Sequence, residues 1–202
     1  VAITAFVSRD GPVLLADLAD LAGGLPGPTV LVFAGERQEV ARYPNRDRAD
    51  LNGGLWAHVD GERLSMYADR PDAGAYLEQH RDLDFWQRNI PRYTRELLVG
   101  AADAQAWEHP EDGEVSIFPR FNWWNNVVNI ATVDPATRTV KLAGDCSYPI
   151  RPGDRYYVRN VFEELDAPGE WYLDKQTGTL YFWPPAPVTT DSVAAPLLET
   201  LV

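Results

Sequence analysis

Cysteine is nearly absent from these 202 residues, with Cys146 standing alone. An internal disulfide and a multi-thiolate metal cluster are both excluded, while the compartment stays open because an exported protein need not carry disulfides. Histidine is scarce as well. His58, His80 and His109 are dispersed, with no H-E-x-x-H or Cys-His spacing, so no metal centre is expected. Basic residues are outnumbered, 18 against 30 acidic, and the net charge of -12 provides no positive field to neutralise phosphates. Nucleic acid and anionic membrane surfaces are therefore disfavoured as partners, and a neutral or cationic partner fits better. No run approaches the ~20 apolar residues of a membrane span. The apolar start, Val1 to Val7, is too short for the core of a signal peptide. No phosphate-cradling glycine motif occurs, Ser116 and Ser147 lack a G-x-S-x-G context, and no fixed-period repeat is present, so no cofactor is expected.

What the chain has in quantity is aromatic and aliphatic bulk: 45% of residues are hydrophobic, with seven Trp, nine Tyr and seven Phe. That is enough for a sizeable core, and short runs of it alternate with breakers. Val13 to Leu18, Thr29 to Ala34, Glu36 to Tyr43 and Leu55 to Val59 read as strands separated by glycine, proline and polar turns. After His109 and Pro110 the same character returns at Glu114 to Phe118, Val127 to Val133, Thr139 to Leu142, Tyr156 to Val161, Trp171 to Asp174 and Thr179 to Trp183. Between them, about 75–106, Tyr76, Leu77, Leu83, Trp86 and Ile90 fall at helical spacing. Pro91 interrupts this stretch, and a second helix is expected from Arg92 to Val99, ended by Gly100. The reading is a mainly β chain, a barrel-like or sandwich domain spanning 1–202 with a small helical insert.

The densest chemistry lies between Gly153 and Pro185. In Glu170 to Asp174 the two-residue period puts Trp171 and Leu173 on a core face and Glu170, Tyr172 and Asp174 on a polar one. Asp174 to Gly178 is a hairpin loop in which Gly178 supplies a positive φ, and Pro184-Pro185 ends the returning strand. Glu163, Glu164, Asp166 and Glu170 are the residue types of a glycosidic acid and base pair, which must face each other across a sugar. Acids flanking a turn more often bind neighbouring backbone amides, and that structural role is the expected one.

This stretch resembles the insertion domain of right-handed parallel β-helix glycoside hydrolases, a group similar to glycoside hydrolase family 141. Glu39-Val-Ala-Arg-Tyr-Pro-Asn45, Phe118-Pro-Arg-Phe-Asn-Trp-Trp-Asn125 and the terminal Val193 to Val202 resemble it too. The resemblance implies a barrel-like domain emerging from a β-helix, with the catalytic carboxylates on β-helix coils. It also implies a secreted or extracellular parent, with that β-helix and a poly- or oligosaccharide as partners. No stacked short repeat of such coils occurs in this chain, so an accessory role bordering the substrate groove is expected and no catalytic residue is assigned. The alternatives are an autonomous carbohydrate-binding module, or a complete glycosidase using two of the four acids.

Phe121, Trp123, Trp124 and Asn125, with Trp171, are the candidate carbohydrate contacts, because aromatic faces stack on pyranose rings while amides read hydroxyls. Core packing, or contact with the β-helix, is the competing role for these rings and the favoured one. Asn45, Asp47, Asp50 and Asn52 beside Gly53 offer calcium-type oxygens, but their spacing departs from an EF-hand loop and a polar loop is expected.

Overall fold

The computed structural model describes residues 3, 7–8, 11–18, 28–47, 49–50, 55–62, 78, 91–189 and 192–196. Among them the chain is mainly β and divides by packing into two compact units: Val1–Asn45 with Arg159–Val202, and Arg46–Val158.

The first unit is organised by the hairpin of β13 (Glu170–Leu173) and β14 (Thr179–Phe182), which pair antiparallel as the turn residues predict. Gly178 takes φ +73 at the loop, and its N–H donates to the Asp174 carbonyl at 2.9 Å. Asp174 Oδ1 also accepts from the N–H groups of Gln176 and Thr177, an Asx turn that fixes the register. On the far side of β14 lies β2 (Leu14–Asp17), followed by β1 (Val7–Ser8); on the far side of β13 lies β5 (Glu39–Val40), in parallel. A second small sheet joins β3 (Val32–Phe33) to β4 (Glu36–Arg37) and to β15 (Val193–Ala194).

Two expectations fail in this unit. Glu36 to Tyr43 is not one strand but β4, β5 and β6 (Arg42–Tyr43). Its pieces serve different partners: β4 completes a tight hairpin with β3 through Ala34 and Gly35, both at positive φ, whereas β5 joins β13. Nor does β13 have a polar face, since all four of its residues are buried. Trp171 and Leu173 pack with Leu31, Phe33, Leu180, Phe182 and Val193, while Tyr172 packs on the other side with Ala41, Leu165, Phe162 and Tyr181. The period of two was right; both sides of the strand are covered.

In the second unit β8 (Glu96–Leu98), β11 (Thr139–Leu142), β10 (Asn126–Asp134), β9 (Glu114–Ile117) and β12 (Arg155–Arg159) lie side by side, with β7 (Ala57–His58) on β12. β10 is long enough to pair with both β9 and β11 because its register shifts between Ile130 and Thr132, a bulge that re-aims the strand. Val115, Ile117, Ile130, Val140, Tyr156 and Val158 are buried.

The expected second helix is cut short. Pro91–Arg95 forms a single helical turn, α1, with Pro91 at its first position where no N–H is needed. From Glu96 the backbone is strand β8, because it pairs with Thr139, Val140 and Lys141 of β11 and buries Leu97. A local preference for helix yields here to a ladder with a distant partner. Apart from Glu78, which is helical, residues 75–90 of the expected insert lie outside the described ones, as do His80, Asn52 and Gly53.

Candidate functional site

The four acids near the hairpin go to different places. Glu163 and Asp166 are exposed, whereas Glu164, at the end of the short helical turn Phe162–Glu164, and Glu170, at the start of β13, are buried. Glu170 Oε2 accepts from the N–H of Asp166 at 3.1 Å and of Ala167 at 3.0 Å, so its carboxyl closes the turn that leads into its own strand. Burial pushes its pKa up to about 7, against the pull of these N–H groups and that of Arg42. Asp166 Oδ1 accepts from Asn45 Nδ2 at 2.8 Å, so another of the calcium-type candidates also serves loop geometry. Asp47 Oδ1, likewise, accepts from the N–H of Ala49.

The aromatic segment is built differently. After β9 the chain makes a loop, Pro119 to Asn125, in which Arg120 and Asn122 both adopt left-handed backbone, φ 61 and 59. Such residues persist only where the surroundings hold them. Asp154 does this: its Oδ2 accepts from the N–H of Arg120 at 2.9 Å and of Arg151 at 2.8 Å. This carboxyl is buried, and burial raises its pKa to about 6. On the other flank Ser116 Oγ donates to Asn125 Oδ1 at 3.0 Å, and Asn126 Oδ1 accepts from the Ser147 N–H at 2.6 Å.

Thus held, the loop presents its rings outward. Trp123 is 73% exposed and Trp124 60%, far from the usual burial of tryptophan. Phe121, half-buried, stands edge-on to Tyr148 at 5.0 Å and to Trp123 at 6.1 Å, with the Arg120 guanidinium 5.2 Å above its ring. Asn122 and Asn125 are exposed beside them. The segment therefore offers two indole faces and two amides within four residues, the pairing of apolar plane and hydroxyl-reading amide that suits a sugar.

Trp171 does not belong to this group. It is 2% exposed in the core of the first unit, so a ligand at the surface cannot stack on it. Sequence reasoning also missed Tyr148 and Asp154, which support the loop from distant positions. A further aromatic cluster escaped it: Trp56, Phe118 and Tyr157, with the Arg155 guanidinium against the first two, whose rings meet edge to face at 5.6 Å. The alternation of Arg155 and Tyr157 with buried Tyr156 and Val158 was the one available signal. The second unit also contains a cavity of about 330 Å³ lined by Asp60, Tyr93, Glu96, Leu97, Thr139 and Pro152, among others. Its two carboxylates are already engaged, Asp60 by Arg138 and Glu96 by Lys141.

No family model and no curated protein matches this sequence. A solved structure described as a glycoside hydrolase does resemble it in fold, with a TM-score of 0.64 at 17% identity. The likeness covers 100% of this chain and 32% of the other, so the chain spans about a third of that protein's length.

Proposed function

We propose that this chain is a non-catalytic accessory domain of a carbohydrate-active protein, the insertion domain of a β-helix glycoside hydrolase of the kind resembling family 141. The observation that carries this reading is the fold likeness, which takes in the whole chain and only a third of a glycoside hydrolase. On this reading the rest of the parent supplies the β-helix and its catalytic carboxylates, the protein works outside the cell on polysaccharide, and the domain borders the substrate groove. Function follows the site rather than the fold, and two features of the site support this division of labour. The buried Glu170 at the hairpin holds a turn, and the exposed Trp123 and Trp124 offer contact without chemistry.

The test is deletion within the parent enzyme. Removing the domain is expected to weaken affinity and turnover on polymeric substrate while sparing a small aryl glycoside. Unchanged rate and affinity on polymer would reject the accessory role. Product release from a broad glycoside panel by the isolated chain would instead establish it as a complete hydrolase.

A further inference from the structure

The cavity in the second unit lies beside β8, the last strand of its sheet among the described residues. Main-chain hydrogen bonds set its walls. The Asp60 N–H donates to the Leu98 carbonyl at 2.8 Å and the Gly153 N–H to the Val59 carbonyl at 2.8 Å, so the turn at Asp60 is tied to β8 and to the Pro152 loop. Gly61 takes φ +113, and a Cβ there would stand 3.0 Å from Pro152 Cγ; any other residue would be both strained and crowded. Walls fixed in this way stand before a ligand arrives. They enclose about 330 Å³, within the ~300–1,000 Å³ of small-molecule sites.

The strand register sorts the lining chemically. Leu98 lies opposite Thr139 and Glu96 opposite Lys141, so these side chains share one face of the sheet. Leu98, 37% exposed, and Pro152 give the cavity apolar surface, while Asp60, Glu96 and Thr139 give it oxygen. Arg138 pairs with Asp60 and Lys141 with Glu96, yet 39% and 38% of the two acidic side chains remain exposed. Pairing does not exhaust them. Asp60 Oδ1 accepts from the Gly61 N–H at 2.8 Å and Oδ2 from Arg138, which uses two of the about four lone-pair positions of a carboxylate. The Arg138 hydrogen bond, with that of Gly61, also holds the Asp60 carboxyl below the usual carboxylate range, so it stays an acceptor.

We infer that this cavity binds a neutral sugar residue of a glycan, through a set of residues that shares no member with the Trp123 and Trp124 loop. Because each acid is matched by a base, an ammonium group finds no net negative charge there, and an anion meets two carboxylates. A wholly apolar ligand would take water from these oxygens without replacing its hydrogen bonds. Sugar hydroxyls replace them by donating to the free carboxylate positions, while the C–H side of the ring lies on Leu98 and Pro152. The inference rests on the carbohydrate reading above and gives it a second contact, of pocket type.

The experiment follows the amide resonances of the isotope-labelled protein while methyl glycosides of glucose, xylose and fucose are titrated in, with glucosamine and glucuronate as charged controls. At least one methyl glycoside is expected to shift the amides of Asp60, Gly61, Leu98 and Thr139 saturably, with a dissociation constant on the order of a millimolar, and neither charged sugar to bind more tightly. Leu98→Trp, which crowds the cavity and keeps its carboxylates, is expected to abolish these shifts. Asp60→Asn is expected to weaken binding about tenfold, the worth of one charge-assisted hydrogen bond, and Trp123→Ala with Trp124→Ala to leave it unchanged. Amide dispersion checks that each variant is folded; should one fail to fold, the comparison of neutral and charged sugars on the unmodified protein decides alone. No saturable shift at those amides, tighter binding of glucosamine or glucuronate, or undiminished binding by either folded cavity variant would each overturn the inference. Shifts confined to Phe121 to Asn125 would overturn it too, while leaving the carbohydrate reading standing.

Discussion

Replacing Glu170 by glutamine isolates the ionisation of one buried carboxyl. Glu170 is 4% exposed, and burial raises its pKa from the ordinary 4.5 to about 7. An acid whose folded pKa is raised is protonated more readily in the native state than in the unfolded one. Its contribution to stability is therefore complete below pH 4.5 and is lost as the pH rises through 7. A shift of this size corresponds to about 3 kcal/mol between the two limits. Glutamine keeps an oxygen for the N–H groups of Asp166 and Ala167, and it cannot ionise. Its extra amide hydrogens impose a cost that does not change with pH. The stability difference between Glu170→Gln and the parent is thus expected to move by about 3 kcal/mol in favour of the variant from pH 4 to pH 8. Urea unfolding followed by tryptophan fluorescence at several pH values measures this directly, and a difference that stays constant across the range would show that burial does not raise the pKa of this carboxyl. Asp154, raised from 3.8 to about 6 by burial, adds a loss of the same sign over a lower window in the second unit. Asp145 acts oppositely: Arg95 and Thr94 hold its pKa down to about 2, so its contribution is present above 3.8 and fades as the pH falls toward 2.

Four substitutions test the packing and the loop. Asn160, at φ 58, donates Nδ2 to the Leu173 carbonyl at 3.1 Å and accepts the Leu173 N–H at 3.0 Å; Asn160→Ala leaves two buried backbone groups unmet and is expected to cost about 2–4 kcal/mol in chemical unfolding. Phe182→Ala empties the space beside Phe33 in the core of the first unit, and a loss of roughly 3–5 kcal/mol is expected by the same measurement. Trp123→Ala and Trp124→Ala, by contrast, are expected to change stability by no more than about 0.5 kcal/mol. Each is nevertheless expected to weaken binding to xylan-type oligosaccharides by about tenfold in calorimetry, the worth of one stacked ring.

Much of the β framework is legible in the sequence because its breakers are local. Gly178 and the Asp174 turn announce the hairpin, and Pro135 within the Asp134 turn separates β10 from β11. What is not legible depends on partners remote in the chain. Glu96 to Leu98 looks helical until β11 is beside it, and Glu36 to Tyr43 looks like one strand until its pieces are assigned to different neighbours. The face bearing Tyr172 looks polar because Glu170 and Asp174 share it, yet Phe162, Leu165 and Tyr181 cover it. Trp171 and Trp123 are the same residue type in similarly aromatic company, and only the packing separates a 2% exposed core residue from a 73% exposed surface one. The Arg155 cluster required the register of β7 on β12, which no local pattern specifies.

The most direct test of the accessory role compares substrates of two sizes on the parent enzyme carrying Trp123→Ala and Trp124→Ala together. Reducing-end release from polymer, set against hydrolysis of an aryl glycoside too small to reach the loop, separates groove contact from chemistry. In an accessory domain the double variant is expected to lower kcat/KM on polymer by about tenfold or more, with the small substrate turned over as before. Equal losses on both substrates, or none on either, would contradict it.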